Sequence, residues 1–68
     1  MKFKLEIDLD NSAFVVGDRY WRDGVELGRI LGHLAKDFNH RAEIGTEQGR
    51  LRDINGNTCG HWAITEEN

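Results

Sequence analysis

A chain of 68 residues makes one domain, spans residues 1–68 as a single unit, and is too short to enclose much of a core, since a domain of this size hides only about 60% of the surface its unfolded form exposes. Nine Lys and Arg against twelve Asp and Glu give a net charge of −3, spread evenly over both halves, which argues against the basic footprint that direct nucleic-acid binding requires. The single cysteine excludes an intrachain disulfide and fits a reducing compartment such as the cytoplasm. No apolar run reaches the roughly 20 residues needed to span a membrane, and the charged, alternating N-terminus does not read as a signal peptide.

From Lys2 to Asp10 the sequence alternates strictly. Phe3, Leu5, Ile7 and Leu9 point one way; Lys2, Lys4, Glu6, Asp8 and Asp10 point the other. A period of two over nine residues predicts a half-buried strand with one wet face. Asn11-Ser12 breaks the pattern. Phe14-Val15-Val16 reads either as a short strand or as a turn that plugs the core, Gly17-Asp18 as a turn, and residues 11–22 together as an irregular excursion.

Asp23 opens a helix. Its side chain can accept from the N–H of Glu26, and Glu26 can reach back to close a capping box. Leu27, Ile30, Leu31, Leu34, Ala35 and Phe38 follow on one apolar stripe of period 3.6, with Glu26, Arg29, His33, Lys36, Asp37 and His40 opposite, so the helix is expected over residues 24–40. Ala42-Glu43-Ile44 can start a strand, and Gly45 to Gly49 reads as a turn or bulge. Asn55-Gly56 between two strand-like runs is the strongest short-range hairpin signal in the chain. A two-residue turn there pairs Ile54 with Asn57, Arg52 with Cys59 and Arg50 with His61, and puts Leu51, Trp62 and Ile64 on the opposite, greasy face. Residues 64–68 read as a frayed polar tail.

The fold class expected is thus a small α+β domain, β–loop–α–β–β. An antiparallel sheet of three or four strands carries one helix on one face. The expected core is Leu5, Ile7, Leu27, Ile30, Leu31, Leu34, Phe38, Leu51, Trp62 and Ile64.

Four groups of residues are candidates for chemistry or contact. Cys59 and His61, at i and i+2 on one strand face, and His33 and His40 on one helix face have zinc-ligand types, but the histidines lie on the side of the helix turned away from the sheet. Two solvated helical histidines are the simpler reading, and no metal or other cofactor is expected. Cys59 with His61 also has the composition of a nucleophile pair. It lacks a third orienting residue and an oxyanion-hole turn, so no catalytic residue is assigned and no enzyme is expected. Gly24, Gly28 and Gly32 line one flank of the helix, each inside it at a cost of roughly 1 kcal/mol relative to Ala, which makes them candidates for close packing of a strand or self-association with a second chain. Arg19, Tyr20, Trp21 and Arg22 are of the types enriched at interface hot spots and sit on a non-periodic segment, which makes them the candidate protein-binding group. The competing reading has Trp21 covering one end of a small core.

Three strings, Asp10-Asn11-Ser12-Ala13-Phe14, Val25-Glu26-Leu27-Gly28-Arg29-Ile30-Leu31-Gly32-His33-Leu34-Ala35 and Leu51-Arg52-Asp53-Ile54-Asn55-Gly56-Asn57-Thr58-Cys59-Gly60, resemble a loose group of short bacteriophage and prophage proteins. These read as a strand, an Asp-Asn-x-Ala-Phe segment, an Ala/Leu/Arg-rich helix and a Leu-Arg-Asp-Ile-Asn-Gly-Asn-x-x-Gly hairpin. The resemblance touches about half the residues. This chain departs from it at Gly28, Gly32 and Cys59 and in a longer Arg19–Arg22 segment. The group has no assigned activity, so the resemblance implies a setting, the cytoplasm of a host bacterium, rather than a reaction. The function expected is a small phage-encoded protein that binds and occludes an unidentified host protein, an anti-defence or anti-CRISPR-like inhibitor. The alternative is a self-associating accessory or structural phage protein, with a homodimer built on the glycine flank or a sheet edge.

Overall fold

The computed structural model describes residues 1–66, and of Asp18, Arg19 and Tyr20 the backbone course alone. Strand β1 (Lys2–Ile7) leads into a 3₁₀ turn (Ser12–Phe14). A two-stranded hairpin follows, β2 (Val15–Val16) and β3 (Asp18–Arg22), then helix α1 (Gly24–Asn39), and then strands β4 (Glu47–Arg52) and β5 (Thr58–Thr65). The main sheet is antiparallel in the order β1-β5-β4, and β2-β3 forms a separate antiparallel pair. The small α+β architecture read from the sequence is the one observed.

The alternation of β1 sets Phe3, Leu5 and Ile7 opposite Ile64, Trp62 and Gly60 of β5, and β5 in turn sets Ile64, Trp62 and Gly60 opposite Glu47, Gly49 and Leu51 of β4. Helix α1 covers this face. The other face presents Lys2, Lys4, Glu6, Ala63, His61, Gln48 and Arg50 to solvent. One helix on one sheet makes a thin body. The Cα radius of gyration is 13.6 Å, against about 11 Å for a compact domain of this length.

The core consists of Phe14, Ile30, Leu34, Leu51, Cys59, Trp62 and Ile64, with Ile7, Leu9, Ala13, Leu27 and Phe38 packed against it. An aromatic trio closes the end of the sheet near the helix C-terminus. Phe3 stacks on Trp62 at 5.9 Å between centroids, Phe38 meets both edge-on at 5.7 and 5.1 Å, and the Arg41 guanidinium lies 4.6 Å from the Phe38 centroid while pairing with Glu47.

Several sequence expectations need correction. Residues 11–22 are not irregular. Asn11 caps the 3₁₀ turn through its side chain, which accepts from the Ala13 N–H at 3.0 Å, and Phe14 drops fully into the core before β2 begins. Leu5 and Leu31 are 39% and 41% exposed and do not belong to the core. The helix is rolled so that Glu26, Ile30 and Leu34 face inward, which leaves Leu31 and Ala35 on the opposite shoulder. Asp8 ends β1 early by accepting the Asp10 N–H at 2.8 Å. The segment from Gly45 to Gly49 is not a turn throughout, because β4 starts at Glu47 and takes in Gly49. There the Trp62 indole lies where a Cβ would stand. Strand β5 continues through buried Ile64 to Thr65, which pairs with Lys2, so the ladder runs into the stretch expected to fray. Glu67 and Asn68 lie outside the described residues.

Candidate protein-binding surface

The hairpin β2–β3 is anchored at its base and exposed at Val15, Val16 and Trp21. Phe14, with no solvent exposure, is the anchor. Its carbonyl accepts the Asp23 N–H at 2.7 Å, joining the start of the hairpin to the helix entrance. Gly17 makes the turn with φ of 59°, a value open to glycine and strained for most other residues. At the far base Arg22 is held by Asp10, Nη2 to Oδ1 at 2.8 Å, and donates through Nη1 to the Trp21 carbonyl at 2.9 Å. The Trp21 side chain is 69% exposed, and Val15 and Val16 are also open to solvent.

Of the four residues singled out in the sequence, Trp21 therefore points outward, and Arg22 folds back as a brace rather than reaching for a partner. The side chains of Arg19 and Tyr20 lie outside the described residues. The reading in which Trp21 covers the core is overturned: Phe14 fills that place.

The glycine flank looks different from its expectation. Among the described residues, a Cβ built at Gly24, Gly28 or Gly32 meets nothing within 4 Å, so the expected close packing of a strand is not seen and the three glycines are exposed.

The second polar feature of the chain was not legible as such. Glu26 and Asp53 are buried carboxylates, 5% and 4% exposed, at the junction between the helix start and the β4–β5 loop. Asp53 organises the loop. Its Oδ1 accepts from the N–H groups of Asn55 at 2.8 Å and Asn57 at 3.0 Å, its own N–H donates to the Asn57 carbonyl at 2.8 Å, and its carbonyl accepts from Gly56 at 3.0 Å. Gly56 carries φ of 83°. The Asp53 Oδ2 is enclosed with no hydrogen-bond partner among the described residues. Glu26 does not close a capping box. Asp23 does cap the helix, accepting from Val25 and Glu26, but its own N–H goes to Phe14, and the Glu26 carboxylate instead takes the Ile54 N–H at 2.7 Å and the Arg29 guanidinium at 2.5 and 3.2 Å. The Arg29 hydrogen bond is the chief reason the Glu26 carboxyl is held below its ordinary range, with burial opposing it and the Ile54 N–H assisting. A signal for Asp53 existed, since an Asp two residues before a turn Asn is the composition of an Asx-turn.

This loop also moves Cys59. The turn spans 53–57 rather than two residues, and a bulge between Leu51 and Arg52 pairs Arg52 with Thr58 instead of Cys59, while Arg50 still pairs with His61. Cys59 therefore turns inward, where its thiol lies 3.6 Å from the Leu51 carbonyl, and burial first and Asp53 second push its pKa up. His61 stays on the open face. The two residues expected on one strand face are on opposite faces, so neither a Cys–His nucleophile nor a shared ligand pair forms between them. Among the described residues, no group of three or more His, Cys, Asp or Glu converges as a metal-ligand set. No described helix is long and apolar enough to cross a membrane. No family model matches this chain, and neither a curated protein nor a solved structure does.

Proposed function

We propose that this chain is a protein-binding domain that blocks a partner by occupying its surface, with the β2–β3 hairpin as the contact and Trp21 as its anchor. The observation that carries the reading is the 69% exposure of Trp21 on a strand whose base is fixed by Phe14 and by the Arg22–Asp10 ion pair. A large ring held out on a braced hairpin loses little conformational freedom on docking, which is the physical requirement for a binding hot spot. The resemblance to short phage proteins supplies the setting: a host bacterial cytoplasm, with a host defence protein such as a nuclease or CRISPR effector as the partner. On this reading the chain acts by stoichiometric occlusion, not turnover.

The test combines a photoreactive amino acid at position 21 with a plasmid-challenge or infection assay. The expected result is a crosslinked host protein whose capture and inhibition are both lost in Trp21→Ala, while the far-UV circular dichroism of the variant is unchanged. Equal activity of Trp21→Ala and the wild type, or no protection by either, refutes the reading.

A further inference from the structure

Strand β1 is an edge of the main sheet, and its charge order has a symmetry of its own. Asp8 donates its N–H to the Cys59 carbonyl at 2.7 Å, and the antiparallel ladder alternates, so the even-numbered residues of β1 bond to β5. The N–H and C=O groups of Phe3, Leu5 and Ile7 then point outward from the sheet edge, where β1 has no further strand among the described residues. An open edge of this kind is a template for another strand.

The side chains state which strand fits. Two cations, Lys2 and Lys4, precede Leu5 on the wet face, and two anions, Glu6 and Asp8, follow it. Turned end for end about Leu5, the sequence becomes its own complement. In an antiparallel pairing of two copies centred there, Leu5 meets Leu5, Lys4 meets Glu6, Phe3 meets Ile7 and Lys2 meets Asp8. Every charged pair is of opposite sign and every pair on the helix face is apolar. Shifting the register by two residues toward the N-terminus sets Lys4 against Lys4, and shifting it by two the other way sets Glu6 against Glu6. The matched register is therefore selected by charge as well as by the pleat.

We infer that β1 is the interface for a second copy of this chain, joining two three-stranded sheets about a two-fold axis through Leu5 into one continuous six-stranded sheet. The exposure of β1 fits this use. Phe3 and Leu5 are 48% and 39% exposed although they lie on the helix-covered face, and Leu31 stands open on the same line of the helix as Phe38, which touches Phe3. In the pairing, Phe3, Leu5 and Ile7 gain apolar neighbours, and their outward backbone groups gain hydrogen-bonding partners. Lys2 and Lys4 each make an interaction within their own chain, and the three donors of an ammonium group allow a further carboxylate across the dyad. The interface is isologous, so a single substitution acts twice. It uses a different surface from the Trp21 hairpin and stands or falls independently of it.

The experiment is sedimentation equilibrium on the full chain and on two charge reversals, Lys4→Glu and Glu6→Lys, with thermal melts to verify folding. The wild type is expected to dimerise with a dissociation constant on the order of micromolar to a few hundred micromolar, as suits an interface smaller than the standard size. Each reversal sets like charges opposite each other on both sides of the axis and raises that constant at least tenfold. An equimolar mixture of the two variants restores both opposite-sign pairs in a heterodimer and recovers association. A Leu5-to-Leu5 methyl contact between differently labelled copies locates the axis by NMR. A wild type that stays monomeric to about 1 mM, reversals that leave a dimer intact, or a mixture that associates no better than its components overturns the inference.

Discussion

Truncating Phe14 to alanine tests whether the segment between β1 and α1 belongs to the body of the protein or merely hangs from it. The ring is fully buried and packs in the same cluster as Ile30, Leu34 and Leu51. Removing a phenyl group from such a site costs about 3–5 kcal/mol, combining lost transfer free energy with the cavity left behind. A domain of this length has a total stability of roughly 3–10 kcal/mol. Phe14→Ala should therefore remove between a third of the folding free energy and all of it. With a urea m-value of about 1 kcal/mol/M for so small a protein, the midpoint moves down by about 3 M or more. Phe14→Leu keeps most of the volume and should lose about 1–2 kcal/mol. Val15→Ala, one residue on and half exposed, should stay within about 0.5 kcal/mol. Urea denaturation followed by far-UV circular dichroism reads all three. If Phe14→Ala unfolds within about 1 kcal/mol of the wild type, the core does not depend on the 3₁₀ turn, and the assignment of Phe14 as anchor of the hairpin is wrong.

Four further outcomes follow from named contacts. At Gly60 an added Cβ falls onto the Glu6 carbonyl and within 3.0 Å of the Ile7 Cα; both are backbone, so Gly60→Ala should destabilise by about 1–3 kcal/mol, seen as a lower melting temperature. Gly28→Ala and Gly32→Ala meet open space and should each stabilise by up to about 1 kcal/mol, whereas a loss of stability in either would mean that the flank is in use. The folded-state pKa of Glu26 is depressed below 4.5, so its contribution is fully present above that value and disappears as pH falls through the folded pKa. Urea midpoints of the wild type should accordingly drop more steeply from about pH 5 to about pH 2 than those of Glu26→Gln. The Cys59 thiol, buried and with a raised pKa, should react with an aromatic disulfide reagent only at the rate of unfolding, and rapid labelling of the native protein would contradict its placement.

The parts of the fold that were legible are those where one signal dominated. The alternation of β1 as far as Ile7, the Asp23 cap and apolar period of α1, and the position of the β4–β5 hairpin at Asn55-Gly56 each follow from one strong local signal. Legibility failed where a buried polar group won against the pattern. Glu26 looked like part of the solvent face, because helical periodicity treats a carboxylate as outward-facing; the Arg29 guanidinium and the Ile54 N–H make its burial tolerable, and the helix rolls to admit it at the expense of Leu31. Asp53 likewise turned a two-residue loop into a five-residue one, and the resulting bulge carried Cys59 to the inner face. Within the candidate surface the local structure was not legible, because a five-residue strand with Arg, Tyr, Trp and Arg in succession has no readable period. The charge symmetry of β1 lay in the sequence throughout, but it acquires meaning only once topology places that strand at an edge.

The way the hairpin is rooted has a consequence for how such a protein can diversify. Its two fixed points, the Phe14 ring and the Arg22–Asp10 bridge, lie at the base, and between them Val15, Val16 and Trp21 are exposed and stand outside the buried cluster. Val15, Val16 and Trp21 can thus change identity with little effect on the framework beneath, provided Gly17 or another turn of equal reach survives at the tip.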